Sequence, residues 1–400
     1  MKHNKKIVCL LTALSASLLF AHGAVAAVSA EEAGKLKTTL TPLGGERAGN
    51  ADGSIPAWTG GYTKVDPAYK DGGKRDDPFA SDKSQLTITA QNMAQYADKL
   101  TPGIQAMLKK YPDSYRLEVY PTHRSAAAPQ AVYDATFANA TRGKLVEGPA
   151  GPMPEGASGG IPFPIPANGV EAMWNHLLRW RGVSWHASFN QYLTTADGKH
   201  VLTNDSRSDL QMPWYLPGGS GEKGVYWSLR MTNDGPPLRA GEAITGLENL
   251  NADKASVWTY LPGQRRVRRL PNACCDTPTP ATAGVMSFDE LYVFNGRLDR
   301  FDWKLVGKKE MYIPYNANKG FYCGQRRSAA RPASHEPRRH SLGTAPCLGG
   351  GSDPEERPAA RHAQEHLLPR RGHLGRRAGR ALRRAQPVGQ GGLDLAGGAA

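Results

Sequence analysis

Between Val183 and Leu270, short runs of alternating apolar and polar residues are broken at close intervals by turn-forming pairs, which confines this part of the chain to antiparallel sheet. "VSWHASFNQYLTT" and "HVLTNDSRSDL" flank Asp197-Gly198, a pair that favours a hairpin turn. "GVYWSLRMTNDGPPLRAGEAITG" repeats the device at Asp234-Gly235, and "SVWTYLPGQRRVRRL" turns at Pro262-Gly263. A last pair of strands is predicted from "MSFDELYVFNG" and "RFDWKLVGKKEMYIPYN". Consecutive hairpins at this spacing predict a meander. Trp227, Trp258, Tyr260, Phe294 and Trp303 share their runs with Arg and Lys, so one sheet face is expected to be apolar and the other solvated.

Helical signals precede the sheet, which makes the predicted class α+β. A helix is expected over residues 89–100, and Thr101-Pro102 supplies the cap and first-turn proline of a second. In that second helix Ile104, Met107, Leu108 and Tyr111 form a core-facing stripe. "GGIPFPIPANGVEAMWNHLLRWRG" is the most organised stretch. Prolines 162, 164 and 166 fix an extended lead-in, Asn168 can cap, and Glu171 completes a capping box. Val170, Met173, Trp174, Leu177 and Leu178 recur at helical spacing, and Gly182 can close the helix. Such a stripe either packs on the sheet or lines a cavity for a hydrophobic ligand.

Composition matters at the two ends. Lys2, Lys5 and Lys6, the apolar run from Ile7 to Phe20 and the small residues Ala24-Val25-Ala26 read as a secretory signal peptide over 1–27, so a soluble protein in the oxidising periplasm is expected. Residues 28–85 read as an extended Gly/Pro-rich arm with Ile55 and Trp58 as apolar anchors. All 32 aromatic residues lie at or before Tyr322, and Arg, Ala, Gly and Pro make up 47 of the 77 residues 324–400. Such a segment cannot bury enough apolar surface to offset chain entropy, so a disordered tail is expected. A basic tail for nucleic acid or anionic lipid competes with the product of a GC-rich gene read out of frame, and the absence of Lys and aromatics favours the second. The domain is therefore read as 86–323, with the native frame ending near residues 320–326 and the true C-terminus missing. The net charge of +14 falls to +3 once the tail (+8) and the three signal-peptide lysines are set aside, so no nucleic-acid partner is expected.

Few residues suggest chemistry. His123, His176, His186 and His200 are the histidines of residues 28–323, and none has the HExxH spacing that puts two on one helix face, so no metal is expected. No GxSxG elbow follows a strand. Asp205, Asp209, Asp289, Glu290, Asp299 and Asp302 read as solvated caps and turns. The chain is therefore expected not to be an enzyme and to use no cofactor. Cys274-Cys275 is read as unsuited to bridging with itself, either member being free to pair with Cys323. In Arg265–Arg269, Arg266 and Arg268 face one way on a strand while Arg265, Val267 and Arg269 face the other. The run is either a charged edge that resists aggregation or a contact for lipid phosphates or an acidic partner.

"PLGGERAGNADGSIPAWTGG", "IPFPIPANGVEAMWNHLLRWRG", "VWTYLPGQRRVRRLP" and "DWKLVGKKEMYIPYN" together resemble the bacterial family called domain of unknown function 1329, also labelled outer-membrane lipoprotein-sorting protein, over about residues 30–323. The resemblance implies an exported protein similar to the periplasmic lipoprotein carriers: a curved antiparallel sheet, a half-open barrel, closed by helices over a hydrophobic cavity. It implies handling of lipid or another hydrophobe at the outer membrane, and it brings no catalytic residues. The sequence departs from the family at Cys274-Cys275, where an aromatic is expected, and in its Arg-rich tail, where the resemblance implies further strands that complete the sheet; the C-terminal strands are thus expected to be missing and a sheet edge left open to aggregation. On this basis Trp174, Leu178, Trp227, Trp258 and Tyr260 are the candidate cavity wall, with Arg266 and Arg268 at the rim. The expected function is reversible, non-catalytic binding of a lipid or other hydrophobic ligand, with peripheral membrane contact. The competing expectation is a structural or assembly partner of an outer-membrane or efflux component, docking through the Arg265–Arg269 hairpin and the arm without a ligand.

Overall fold

The computed structural model describes residues 27–317, apart from 66, 68, 70–76, 196, 198, 218, 220–222 and 271–273, together with the backbone of His340–Ser341. The signal peptide and the tail read from the sequence thus lie outside the described residues, Ala27 and those two excepted. Among the described residues no helix is long and apolar enough to cross a membrane.

The presumed arm does not begin extended. Helix α1 (Ala30–Gly34) is capped by Ser29, whose Oγ accepts from the Glu32 N–H at 3.0 Å, and Ala33 and Leu36 are buried against Ala140. Thereafter the arm is irregular, as expected. The indole Nε1 of Trp58 donates to the Ala126 carbonyl at 3.0 Å, and the Arg124 guanidinium donates to the carbonyls of Glu46, Arg47 and Ala48.

Strand β1 (Leu86–Ile88) is followed by a 3-10 helix, Met93–Lys99, where the sequence predicts an α-helix. The Asn92 side chain explains the difference: its Oδ1 accepts from Thr89 N–H at 2.7 Å and its Nδ2 donates to Thr87 O at 2.9 Å, drawing the backbone into a turn. Helix α2 (Pro102–Lys110) starts where expected, with Thr101 Oγ1 accepting from Ile104 N–H at 3.2 Å. Its apolar stripe is narrower than predicted. Leu108 is fully buried, but Met107 and Tyr111 are exposed, because the small core of Ile88, Met93, Leu100, Leu108 and Leu117 occupies only one side of the helix. Strand β2 (Tyr115–Val119) pairs antiparallel with β1.

Helix α3 (Gln130–Arg142) leads into a hairpin of β3 (Lys144–Gly148) and β4 (Gly151–Glu155), then into α4 (Gly169–Leu177). The chain goes on to form six strands: β5 (Ser184–Thr194), β6 (His200–Gln211), β7 (Val225–Gly235), β8 (Ala243–Asn249), β9 (Ser256–Leu261) and β10 (Arg266–Leu270). They lie in the order β10-β9-β8-β7-β6-β5, every pair antiparallel, which is the predicted meander. A two-residue strand, β11 (His340–Ser341), pairs parallel to β2. The class is α+β.

Three local expectations are corrected. Helix α4 ends at Leu177, and Gly182, with φ +89°, turns the chain into β5 instead of closing the helix. Strand β7 runs through Asp234-Gly235, and the turn spans 236–242, because Pro236 and Pro237 cannot donate to a ladder. Residues 286–316 form no sheet strands. Phe288–Glu290 and Leu298–Arg300 are 3-10 turns, Tyr292 and Val293 take left-handed φ values of 56° and 76°, and Tyr312 N–H donates to Lys99 O at 3.0 Å rather than to a strand.

Register decides the faces of the six-stranded sheet. One row of directly opposed residues crosses all six strands: His186, Asp209, Arg230, Thr245, Trp258 and Arg269. This face is solvated. The opposite face carries Leu210 against Leu229 and Met231 against Ile244, and the main core lies on it.

Candidate functional site

The candidate wall residues separate into two groups. Trp174, Leu178 and Trp227 are buried together in a core of twelve residues that includes Phe163, Trp214 and Tyr215. Trp258 and Tyr260, opposed by Arg269 and Val267, lie on the solvated face of β9, so they cannot line a space with the other three. Arg266 and Arg268 are exposed on the other face at the β10 edge. The period of two explains the correction: alternation identifies two faces without saying which of them turns inward.

Helix α4 organises the core. Asn168 Oδ1 accepts from Glu171 N–H at 3.0 Å, while the Glu171 carboxylate accepts from Ala167 N–H at 2.7 Å, one residue earlier than in a standard capping box. The proline-rich lead-in is held by Asn175, which accepts from Phe163 N–H at 3.0 Å and donates to Phe163 O at 2.6 Å. Trp174 Nε1 donates to Pro152 O at 2.9 Å, tying the helix to β4.

Residues 286–304 roof this core. Tyr292, Phe294 and Trp303 pack against it, and Leu298 is buried within it. Phe294 and Trp303 meet edge to face with ring centroids 5.0 Å apart. His176, in the last turn of α4, fastens the roof: its Nε2 lies 2.9 Å from the Phe294 carbonyl. Burial, helped by the charge of Arg179, pulls this imidazole down to about 4 and keeps it neutral. At the other end of α4, a Cβ on Gly169 would stand 2.6 Å from the Trp303 carbonyl carbon, so only glycine admits the roof at this approach.

Two cations lie where the roof meets the end of α4. The guanidinium carbons of Arg181 and Arg179 are 4.5 and 5.7 Å from the centroid of the Tyr292 ring. Arg179 Nη1 donates to His176 O at the helix end, and Arg181 Nη2 approaches Met212 Sδ at 3.8 Å. Arg179 Nε and Arg181 Nε and Nη1 are buried without a hydrogen-bond partner among the described residues. Burial, together with the neighbouring Arg181, lowers Arg179 to about 10, and burial lowers Arg181 as well, yet both remain charged at neutral pH. Burial raises the hydroxyls of Tyr215, Tyr226 and Tyr292, which stay neutral.

Beside the roof a cavity of about 30 Å³ is bounded in part by Pro152, Trp174, Tyr226, Glu248, Arg297 and Leu298. That volume suits a water molecule, whereas ligand pockets measure roughly 300–1,000 Å³. Burial pushes the Glu248 carboxyl up to about 7, while Arg297 is paired with Asp253 and Asp299 at 2.6 Å each. Among the described residues no group of three or more His, Cys, Asp or Glu is placed to hold a metal. Sequence reasoning missed Arg179, Arg181, Glu248 and Tyr292. The "RWR" run of 179–181 shows charge beside an aromatic, and nothing in it announces burial.

The motifs at the start of α4 and along the sheet fall within one family alignment: the protein of unknown function DUF1329 matches residues 87–335. The chain belongs to the DUF1329 family. An uncharacterized protein of Pseudomonas aeruginosa, PA3922, is 46% identical over 319 residues, which cover 78% of this chain and 69% of that protein. No solved structure matches. The DUF1329 match takes in α2 to α4, the whole six-stranded sheet and the roof, and leaves α1 and most of the arm ahead of it. At the departure from the expected DUF1329 sequence, Cys274 and Cys275 are joined to each other in a disulfide, contrary to the sequence reading. Cys275 takes a left-handed φ of 69°, a conformation that the sequence reading did not consider. Cys323, the alternative partner, lies outside the described residues.

Proposed function

We propose that this DUF1329 protein is a periplasmic, non-catalytic binding protein for a lipid or another hydrophobic ligand, working at the outer membrane. One observation carries the reading: an aromatic-rich core on the apolar sheet face is closed by a roof that no strand ladder holds. Such a roof can lift at the cost of its side-chain packing, the His176 hydrogen bond and the ion pairs of Arg297 with Asp253 and Arg300 with Asp276, whereas a paired strand would lose its whole ladder. The 30 Å³ cavity makes this movement a requirement, since an acyl chain needs about ten times that space. Each methylene buried in the opened core contributes about 0.8 kcal/mol, enough to hold a chain without any catalytic group. In this reading the six-stranded sheet is the curved wall of a half-open barrel, and α4 and the roof are its closure.

The test is organic extraction of the purified full-length chain followed by mass spectrometry. A lipid or other hydrophobe at near-stoichiometric yield is expected, and extracts free of any such molecule would sink the reading. A docking role without a ligand is favoured instead by the β10 edge, where Arg266, Arg268, Arg269 and the 62% exposed Val267 face solvent. Loss of an acidic outer-membrane partner from pull-downs on charge reversal at Arg266 and Arg268, with extractable lipid unchanged, would support that role.

A further inference from the structure

We propose that Arg179 and Arg181 form a receiving site for an oxyanion, the carboxylate or phosphate end of an amphiphile whose apolar part meets the roofed core. The second half rests on the hydrophobic-ligand reading; the anion site stands without it.

The argument starts from unmet donors. Five buried side-chain nitrogen or oxygen atoms have no hydrogen-bond partner among the described residues, and four are N–H donors: Arg179 Nε, Arg181 Nε, Arg181 Nη1 and Trp227 Nε1. Donors without acceptors are matched by an anion. No described carboxylate forms an ion pair with either arginine, and the titratable groups that act on them are, besides Arg181 on Arg179, Tyr215, Tyr226, Tyr292 and His176, these four neutral at pH 7. A guanidinium cannot lose its proton in that range, so among the described residues the charge of the pair is unmatched, and an anionic ligand would match it.

Two local roles were weighed against this. Arg179 caps the α4 carboxyl end through Nη1, and the Tyr292 ring face attracts both cations. These account for one donor of Arg179 and for the faces of the guanidinium planes. They leave Nε and Nη1 of Arg181 without acceptors, and either of them, with the second N–H of the Nη2 that approaches Met212 Sδ, makes a fork that matches the paired oxygens of a carboxylate or phosphate. The site also adjoins the roof through Tyr292, so an amphiphile lying under the roof would end there.

The experiment titrates the full-length chain by calorimetry with dodecanoate, with dodecanol as its neutral counterpart, and with acetate and inorganic phosphate. Dodecanoate is expected to bind at least tenfold more tightly than dodecanol. Arg181→Lys, which keeps the charge and loses the fork, should cut that ratio severalfold, and Arg179→Gln combined with Arg181→Gln should bring it close to one while dodecanol binding holds. Saturable phosphate or acetate binding that Arg181→Lys weakens identifies a free oxyanion as the ligand. If that occurs while neither amphiphile binds, the anion site stands and the hydrophobic-ligand reading falls. Equal affinity of the unmodified chain for dodecanoate and dodecanol, with no binding of acetate or phosphate, overturns the anion site without touching the hydrophobic reading. A complete absence of binding overturns it too, and neither of these two outcomes depends on a variant folding.

Discussion

Glu248 and His176 are two buried ionisable side chains whose effects on stability oppose each other. Glu248 has its carboxyl raised from 4.5 to about 7, so the folded state holds a proton that the unfolded chain releases between those values. Its contribution is complete below pH 4.5 and is lost as pH rises through 7. His176 is lowered from 6.5 to about 4, so its contribution is complete above pH 6.5 and is lost as pH falls through 4. Between pH 4.5 and 6.5 the two slopes cancel in part. Glu248→Gln should uncover the histidine: urea unfolding of the variant is expected to show stability rising by about 1–3 kcal/mol from pH 4 to 7, where the unmodified chain is flatter. Identical pH profiles for the two proteins would show that Glu248 is not held protonated by burial.

At the scale of elements, the contact between the start of α4 and the roof is the one to break. Gly169→Ala places a methyl group 2.6 Å from the Trp303 carbonyl carbon, and α4 cannot retreat without losing its Asn168 cap. A loss of about 1–3 kcal/mol is expected, as for other overpacked contacts, with faster tryptic cleavage at Arg300 and Lys304 and unchanged cleavage within the sheet. Stability and cleavage equal to those of the unmodified chain would show that the roof does not bear on Gly169. The roof is also the element least legible in the sequence. "FDWKLV" alternates like a strand, but in the fold Trp303 pins an unpaired segment to the core, and periodicity reports side-chain direction without reporting a backbone partner. Strands β5, β6, β9 and β10 were legible because the sequence places the turn-forming pairs Asp197-Gly198 and Pro262-Gly263 between them. Among site residues, Trp174 and Leu178 could be placed inside from helical spacing, whereas the strand pattern around Trp227 left its face open. The face of Trp258, and the burial of Arg179 and Arg181 beside Tyr292, depend on register and on residues far along the chain.

For the whole molecule, these contrasts predict an ordered pattern of amide exchange. The central strands β6, β7 and β8 are paired on both sides and should be the slowest to exchange in the full-length chain. The roof and residues 302–316, lacking ladders, should exchange orders of magnitude faster. Equal protection in the two regions would mean that the roof opens only with global unfolding, and would remove the route by which a ligand reaches the core.

Residues 302–316 also lie back across the first part of the molecule: Lys308 pairs with Glu46 at 2.7 Å, Asn50 bonds Glu310 across a separation of 260 positions, and Asn316 reaches the His123 carbonyl. A ribosome delivers these partners in the least convenient order, with the arm at the outset and its fastening near the end of the described chain. Throughout the interval the Glu46 and Asn50 side chains must wait for these partners, so a nascent chain halted before residue 302 would hold its arm only through the earlier fastenings at α1, Trp58 and Arg124.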